Sequence, residues 1–539
     1  MQLTANILMG MCALAFGLTC TAIVAELRRD LMMLQQNSYR SERYMRWLRQ
    51  SGDTTSVTHL VAYVVLFMAL ASQNIIVQTA VMALVAVYSL CRALKLIRAK
   101  YKKPLVMTGR ARRLLTTDLV IAAIAIAATV AVTWHMGVLT AAYATAVAAM
   151  ALLCLAHPIT LLSLLILTPV EKHINRKFYK QAQQRLAQMP RLKIVGITGS
   201  YGKTSTKHYL HRILSEHFDT LMTPGSYNTT LGVVRTVNEM LKPYNEVFIV
   251  EMGAKQVGDI REICDLVHPQ AGIITSVGPQ HLESFGSIDN VCRTKFELAD
   301  AIGPDGFVVV NNDFAPSAAR RVDNTRCIRY GVSNTEGCAF TASDITYSAD
   351  GTHFTVNGPD GFSLELDTRL VGECNISNLI AAVAVALELG VPTEKIRYAV
   401  SRIEQVEHRL NLKRLPGGIA IIDDAFNSNP SGSRMALDVL AMMTQGTRMV
   451  ITPGMIELGA EQYDLNKALG QHMAACADRA LIVGEYNRDA ILSGLREAGM
   501  PEENVHCFDT FLDANAWAMA HAKPGDTILI ENDLPDTFK

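Results

Sequence analysis

Charged residues, aromatic residues and cysteines are all scarce in this sequence. Of 539 residues, 19% are charged and 6% are aromatic, and there are 11 cysteines. This cysteine density excludes a disulfide scaffold, and the lack of any Cys-x-x-Cys pair excludes a zinc ribbon and a thioredoxin-type site. Intrinsic disorder is excluded because half of the residues are hydrophobic and the formal net charge is zero. That balance also argues against a nucleic-acid partner.

The zero net charge conceals an uneven distribution. Residues 1–170 contain 15 Lys and Arg against 5 Asp and Glu, a net charge of +10, whereas the other 369 residues contain 35 against 45, a net charge of −10. In the basic part, the cations lie between three long apolar runs, at residues 3–25, 57–90 and 119–167. Uncharged runs of about 18 residues or more are typical of membrane-spanning helices. The sequence therefore predicts a membrane domain.

The positions of the cations predict the topology of this domain. Each apolar run is followed by a basic segment, and all three basic segments are expected in the cytoplasm. The second and third runs must then be hairpins, turning near Gln73–Asn74 and near His135–Gly137, which gives five helices with the first run. The arms of the first hairpin have about 16 apolar residues, or roughly 24 Å, which is short for a bilayer, so a re-entrant pair is the alternative. A cleaved signal peptide is disfavoured because the cations follow the first run.

A phosphate-binding loop is predicted immediately after the basic part. The β-branched run Leu192–Thr198 predicts a buried strand, and apolar residues recur at helical spacing from Tyr209 onward. Between them lies Gly199–Thr204, whose backbone N–H groups would face phosphates at a helix N-terminus. Lys203 would reach the outer phosphates and the Thr204 hydroxyl would bind magnesium. The loop is shortened, since two residues separate its glycines where the general pattern has four.

This shortened loop, with the motifs that follow it, resembles the Mur ligases, the ATP-dependent amide ligases of cell-wall synthesis. The similarity covers about residues 190–539 and is closest to the branch that adds D-alanyl-D-alanine. The segments that carry it are, in order, Thr198–Thr204, Val250–Ala254, Thr275–Gly286, Thr294–Glu297, Gly372–Asn378, His408–Leu410, Ile422–Pro430 and Gly454–Gly459. Several motifs in the family's order are far more specific than any one of them.

The resemblance implies a chemistry and a set of residues for it. ATP activates a carboxylate as an acyl phosphate, which an amine then attacks, and the negative oxygens require cations and metal. Two Mg²⁺ ions are implied, one held by Thr204 and Glu251 and one by His281 and a carbamylated Lys295. Catalytic roles are implied for Lys203, Lys295, His281 and Arg409. Residues implied to bind the nucleotide are Gly199, Ser200, Gly202, Lys203, Thr204, Ser205, Asn375, Asp424 and Asn427.

The sequence also departs from the family's pattern. Cys374 stands where the family has His, Phe426 stands for Tyr, and residues 529–535 replace a Lys-Gly-Ser segment, which leaves the amine substrate open. About thirty residues separate the last apolar run from the phosphate loop, too few for the UDP-substrate domain of the usual ligases. The carboxylate is therefore expected on a muropeptide, on a lipid-linked precursor or on a polymer.

These observations predict an α-helical membrane domain followed by α/β domains. The expected boundaries are residues 1–170 for the membrane domain, 171–189 for a helical connector, 190–405 for a central P-loop domain with a parallel sheet, and 406–539 for a Rossmann-like domain. The expected protein is a multi-pass ligase of the cell membrane with cytoplasmic ligase domains. Its partners would be ATP, the precursor carboxylate, an amino acid or dipeptide amine, and membrane lipid, but not nucleic acid.

Two other functions remain open. Polyglutamate-type ligases share the shortened loop and lack the UDP domain. A P-loop ATPase that drives transport or assembly is the other alternative, and it predicts charged residues inside the apolar runs. The runs contain none, which favours a membrane anchor.

Overall fold

The computed structural model describes residues 2–50, 55–71, 74–101, 103–348, 351–425 and 428–534. It divides into two compact units, one extending to Ile174 and one covering Asn175–Asp533. The described part of the first unit is helical. Its helices are α1 Gln2–Gln36, α2 Ser41–Gln50, α3 Thr55–Ala71, α4 Ile75–Arg98, α5 Gly109–Thr133, α6 Val138–Cys154 and α7 Ala156–Ala187.

Three of these helices are long and apolar enough to cross a membrane. They are Gln2–Gln36, Ile75–Arg98 and Gly109–Met136, and the pair α6 and α7, bent by 71° at its break, would make a fourth. The apolar part of α3, Val57–Ala69, is shorter than a spanning helix needs. Length and composition thus support three or four crossings, so the five crossings expected from the sequence remain a prediction that depends on α3.

The first helix extends well beyond its expected end at Ala25. Its continuation carries Glu26, whose carboxylate is paired with Arg29 at 2.9 Å and with Arg92 of α4 at 2.8 Å. It also carries Asp30, whose Oδ2 lies 2.7 Å from Nδ1 of His157 on α7. Both carboxylates are fully buried. Each carboxylate is paired with a residue on a neighbouring helix, which allows it to be buried. The helix therefore continues past the end of the apolar run.

The second unit begins with a nine-stranded sheet in the order β2-β3-β1-β4-β5-β6-β7-β8-β9. Pairs from β2 to β7 are parallel, and β8 and β9 are antiparallel additions at one edge. The strands are β1 Lys193–Thr198, β2 Thr220–Met222, β3 Val247–Glu251, β4 Ala271–Ile274, β5 Phe307–Asn311, β6 Arg326–Gly331, β7 Phe340–Ser348, β8 Gly351–Asn357 and β9 Ser363–Thr368. The helices are α8 Lys203–Leu214, α9 Thr230–Glu239, α10 Asp259–Val267, α11 Leu282–Phe285, α12 Ile288–Ala301, α13 Ala315–Ala319, α14 Glu373–Glu388 and α15 Thr393–Ser401.

Both faces of this sheet are buried. Val195 and Ile197 of β1 pack in the core formed with α8, α14 and α15, whereas Ile194 packs in the core formed with α9, α10 and α12. Because successive side chains of a strand point to opposite faces, a central parallel strand must be apolar at almost every position. This requirement explains why the β-branched run before the loop predicts β1 so well.

A second sheet, of six strands, follows in the order β10-β11-β15-β12-β13-β14, parallel except for the antiparallel edge strand β10. The strands are β10 Asn411–Arg414, β11 Ala420–Asp424, β12 Arg448–Thr452, β13 Arg479–Val483, β14 Val505–Phe508 and β15 Thr527–Glu531. The helices are α16 Pro430–Ala441, α17 Gln462–Cys476, α18 Arg488–Glu497 and α19 Phe511–His521.

Candidate active site

The phosphate loop connects the end of β1 to the start of α8. Gly202 has a left-handed backbone with φ +78°, and a Cβ there would lie 2.4 Å from Oδ1 of Asn378, so both conformation and space require glycine. The Nζ of Lys203 donates to the carbonyl oxygens of Gly199 at 2.5 Å and Ser200 at 3.1 Å. Burial lowers the pKa of Lys203 to about 8, and the nearby charge of Arg409 contributes. The loop thus holds a lysine beside backbone donors at a helix N-terminus, which suits an anion.

Glu251 ends β3, the strand beside β1, and its buried carboxylate faces the loop. Its Oε1 accepts hydrogen bonds from the Thr204 hydroxyl at 3.2 Å and from Nδ2 of Asn228 at 3.0 Å. Its Oε2 lies 2.9 Å from Nζ of Lys207, which is buried too. Burial by itself would raise the pKa of Glu251, but the charges of Lys207 and Lys203 outweigh it and hold the pKa below its ordinary value. The carboxylate is therefore ionised and ready to bind a cation.

His281 and Lys295 occupy a second buried position. His281 precedes α11 in a left-handed conformation, with φ 52°, and its Nδ1 contacts the carboxylate of Glu457. Burial lowers the pKa of His281 below its ordinary value. Lys295, on α12, is 1% exposed, and burial together with the charge of Lys203 holds its pKa well below the ordinary value. A buried neutral amine is the form of lysine that can react with carbon dioxide.

Arg409 and Asp424 approach the phosphate loop from the segment that leads into the second sheet and from the end of β11. Arg409 lines the same cavity as Thr204, and burial lowers the pKa of its guanidinium while the charges of Asp424 and Glu251 oppose that shift. Oδ1 of Asp424 accepts the N–H of Leu410 at 3.0 Å. Burial raises the pKa of Asp424 to about 6. The segment that leads into the second sheet thus brings the cation of Arg409 to the cavity beside Thr204.

The side chain of Asn375 hydrogen-bonds within the central domain. Its Oδ1 accepts from the Tyr209 hydroxyl at 2.8 Å, and its Nδ2 donates to the carbonyl of Val371 at 2.8 Å. The side chain is 5% exposed and joins α14 to α8. A role for Asn375 in binding adenine is still a prediction. Ser205 is buried one residue beyond Thr204, and Asn427 lies outside the described residues.

A cavity of ≈ 750 Å³ opens beside Thr204. It is bordered by His208 and Arg212 of α8, by Ser226, and by the segment Arg402–Arg409 that leads into the second sheet. Its volume lies in the range of small-molecule sites. Because it adjoins the phosphate loop, it has room for the rest of a nucleotide or for part of another substrate.

Four residues of this site were not predicted as site residues from the sequence. They are Lys207, His208, Asn228 and Glu457. Lys207 and His208 follow the loop on α8 and carried a detectable signal, since one turn of helix separates them from Lys203 and Thr204. Glu457 lies in the segment Gly454–Gly459 that carries the resemblance, but its contact with His281, 176 residues away, has no signal in the sequence. Asn228 lies in a loop and has no motif around it that indicates its contact with Glu251.

Comparison with known proteins agrees with this arrangement. Residues 197–386 match the Mur ligase middle domain, and residues 408–531 match the Mur ligase, glutamate ligase domain. The UDP-N-acetylmuramoyl-tripeptide--D-alanyl-D-alanine ligase of Mycobacterium tuberculosis (strain ATCC 25618 / H37Rv) is 30% identical over 361 residues, which are 63% of this chain and 70% of the relative. The chain belongs to the Mur ligase family.

Other relatives bear the same name or the same fold. The ligase of that name from Escherichia coli (strain K12) is 32% identical over 299 residues, 55% of this chain. The chain spans 65% of that relative's length and 59% of the Bacillus subtilis (strain 168) relative's length. A crystal structure of MurF from Acinetobacter baumannii superposes with a TM-score of 0.60 at 29% identity, over 66% of this chain and 77% of that chain.

Proposed function

We propose that this chain is an ATP-dependent ligase that joins a carboxylate to the amine of an amino acid or dipeptide. The observation that carries the proposal is the meeting of Lys203, Thr204 and Glu251 at the end of the parallel strands, with Arg409 brought to them from the second sheet. A phosphate cradle, an ionised carboxylate and an arginine cation are groups that transfer of a γ-phosphoryl group requires.

The residues fit the two magnesium ions that the family resemblance implies. The Thr204 hydroxyl and the Glu251 carboxylate are oxygen ligands of the kind that Mg²⁺ takes, and they lie 3.2 Å apart. His281 and a carbamylated Lys295 would hold the second ion, and the buried, weakly basic amine of Lys295 suits carbamylation. When bound, the ions would screen the charge of the phosphates and of the carboxylate.

The protein's own groups then have distinct tasks. The loop N–H groups and Lys203 hold the outer phosphates of ATP, while Arg409, through its forked donors, lies against the phosphate that is transferred. The substrate carboxylate attacks the γ-phosphorus, ADP leaves, and the acyl phosphate forms. The amine nitrogen then attacks the acyl carbon, phosphate leaves, and the ammonium proton passes to solvent or to a nearby base. Burial protects the acyl phosphate from water.

For the substrates we propose those in the relatives' names, a UDP-N-acetylmuramoyl-tripeptide and D-alanyl-D-alanine. The product would be a peptidoglycan precursor. A lipid-linked muropeptide and a polyglutamate-type substrate are the alternatives, because residues 529–535 depart from the family's pattern and the UDP domain is not apparent ahead of the loop.

We further propose that the first unit anchors the ligase in the cell membrane, with residues 171–189 as connector and the domains 190–405 and 406–539 in the cytoplasm. The support is the apolar length of α1, α4 and α5, together with apolar side chains that face outward, such as Leu3, Val132 and Leu165. The basic segments between the helices favour a cytoplasmic ligase.

Release of ADP by the full chain in detergent tests the activity. We expect release to require both an acceptor carboxylate and an amine, and to fall by at least about 100-fold in Lys203→Ala, because one preorganised cation at a developing anion contributes about that much. Exposed Lys242→Ala is the matched control and should keep full activity. Release that survives Lys203→Ala contradicts the phosphate-loop assignment. Parallel assays with UDP-linked and lipid-linked acceptors, and with glutamate in place of D-alanyl-D-alanine, distinguish the substrates.

A further inference from the structure

A histidine, a cysteine and an aspartate meet on two helices of the second sheet's domain, away from the phosphate loop. His472 and Cys476 lie one turn apart on α17, and Asp438 lies on α16, which packs beside it. Nε2 of His472 is 3.6 Å from Sγ of Cys476 and 2.7 Å from Oδ1 of Asp438. One ligand atom from each residue lies within 4.8 Å of the other two.

We propose that Asp438, His472 and Cys476 bind a transition-metal ion of the zinc class. Thiolate, imidazole and carboxylate are the donors that Zn²⁺ takes, and three protein ligands with one open position form a common zinc arrangement. This proposal is independent of the ligase activity, because none of the three residues belongs to the active site described above.

The spacing of the atoms suits a tetrahedral ion. With Zn–S of about 2.3 Å and Zn–N of about 2.0 Å, the nitrogen and sulfur of a tetrahedral site lie about 3.5 Å apart, close to the distance between His472 and Cys476. Residues four apart on a helix share one face, so α17 presents both donors in the same direction. The oxygen of Asp438 lies closer to the nitrogen than a shared ion allows and must move by about half an ångström or more, which its exposed side chain permits.

The three side chains differ in their exposure to solvent, as is expected of a metal site at the protein surface. Cys476 is 4% exposed and packs in the core of its domain, whereas the side chain of His472 is 27% exposed and that of Asp438 is 53% exposed. An ion would therefore bind with the thiolate on its protein side and water on its open side, and it has a path from solvent. On binding, the thiol proton of Cys476 leaves to solvent.

The surrounding charges do not prevent a cation from binding. Arg434 and Arg448 lie within electrostatic range of Cys476. Arg448 is already paired with Asp478, whose two carboxylate oxygens accept from its Nη2 at 2.7 Å and its Nε at 3.1 Å. Burial and the charge of Asp438 raise the pKa of the Cys476 thiol, and the two arginines oppose this shift, so the thiolate forms as the metal displaces the thiol proton.

The site would connect two helices whose opposite ends reach toward the ligase site. Helix α16 begins at Pro430, shortly after Asp424, and α17 begins at Gln462, shortly after Glu457. A metal that bridges the third turn of α16 and the last turn of α17 would fix these helices against each other. We therefore expect it to stabilise this domain, by mass action, without touching the substrates.

Titration of the full chain with Co²⁺, in detergent and without ATP, tests the proposal. We expect one ion per chain with a thiolate-to-cobalt absorption band in the near ultraviolet and with visible bands of tetrahedral intensity, which Zn²⁺ then removes. Cobalt held by oxygen ligands at the active site gives no thiolate band. In Cys476→Ser and in His472→Gln we expect the band to be lost, and in Asp438→Asn we expect affinity to fall by about 10-fold or more.

Exposed Cys507→Ser is the matched control and should bind Co²⁺ like the unmodified chain. If Cys476→Ser does not fold, the surface variants His472→Gln and Asp438→Asn answer the question alone. The proposal is overturned if no thiolate band forms at up to about ten equivalents of Co²⁺, or if the band persists unchanged in His472→Gln. A rise of melting temperature with Zn²⁺ that His472→Gln abolishes is the second expected result.

Discussion

Burial is the main influence on the pKa values of three residues of the candidate active site. Burial lowers the pKa values of Lys203 and Lys295 and raises that of Asp424, and it is the largest cause for each of them. Each shift favours the neutral form of the side chain. Residues with strongly shifted pKa values are common in active sites.

Lys295 gives a prediction for the proposed ligase. Replacing it with Ala removes the amine that would be carbamylated, and we expect ADP release to fall by at least about 100-fold because a charged ligand near the phosphates is lost. Millimolar acetate or formate should restore part of the activity by supplying a carboxylate in the space left. Exposed Lys395→Ala should behave like the unmodified chain. Full activity in Lys295→Ala would contradict a role for the carbamate.

The pair Arg448–Asp478 gives a prediction of pH dependence. Hydrogen bonding from the Arg448 guanidinium holds the pKa of Asp478 below its ordinary value. An acid with a lowered native pKa stabilises the fold above its unfolded pKa, and the stabilisation is lost as the pH falls through the native pKa. Asp478→Asn should therefore melt lower than the unmodified chain at pH 7, by less than about 1 kcal/mol of stability since both groups are partly exposed.

That difference should narrow as melting temperatures are measured down to about pH 3, because the carboxyl group of the unfolded chain takes up its proton first and the stabilisation is lost as the pH approaches the lower native pKa. Exposed Asp305→Asn is the control and should melt like the unmodified chain at every pH. If Asp478→Asn melts below the unmodified chain by the same amount at pH 7 and at pH 3, the pair does not stabilise the domain through its charge.

Elements differ in how well the sequence predicts them. The run Leu192–Thr198 was predicted as a strand and forms β1 over Lys193–Thr198, because a strand buried on both faces is apolar at almost every position. The edge strands β10 and β14 were missed, since their residues are only partly buried and their pattern is mixed. The phosphate loop was placed correctly between β1 and α8 because glycine, lysine and threonine there are dictated by local geometry.

Contacts between distant elements were not predictable. Glu457 reaches His281 across 176 residues of sequence, and Glu26 reaches Arg92 across 66. Neither contact can be predicted from the neighbouring residues in the sequence, because a long-range pair depends on how the sheets and helices pack. The extension of α1 beyond Ala25 was missed for this reason.

The loop that carries Glu457 gives a prediction at this scale. Asn466, at the start of α17 and fully buried, accepts the N–H of Met455 at 2.8 Å and donates to the Met455 carbonyl at 3.1 Å. Asn466→Ala leaves the buried N–H of Met455 without its acceptor, whereas the Met455 carbonyl still accepts from Gln462 and Asn487. We therefore expect a loss of about 1–3 kcal/mol in stability. ADP release should also fall, because Glu457 no longer positions His281.

Gln471→Ala, on the exposed face of the same helix, is the control for Asn466→Ala. It should leave both the melting temperature and ADP release close to those of the unmodified chain. If Asn466→Ala lowers the melting temperature but not the rate, Glu457 does not depend on this loop for its position.

The whole molecule has a net charge of zero, but its two parts carry opposite net charges. The part with a net charge of +10 is the part with the apolar helices, and the part with −10 is the ligase. A cytoplasmic leaflet rich in anionic lipid attracts basic segments beside membrane helices, by about 1 kcal/mol for each Lys or Arg near the surface. The charge of the basic part therefore supports the proposed orientation, in which the basic segments lie on the cytoplasmic side.

This orientation can be tested with the chain's own cysteines. Cys507 is exposed on β14 of the second sheet, far along the chain from the apolar helices. In intact spheroplasts, a membrane-impermeant maleimide should leave Cys507 unlabelled, and after lysis it should label it, with Cys507→Ser identifying the modified site. The membrane fraction should retain the chain after extraction with alkaline carbonate, as expected for spanning helices and not for a surface-bound protein. Labelling of Cys507 in intact spheroplasts would place the ligase outside the cytoplasm, where ATP is scarce, and would contradict the proposed function together with the topology.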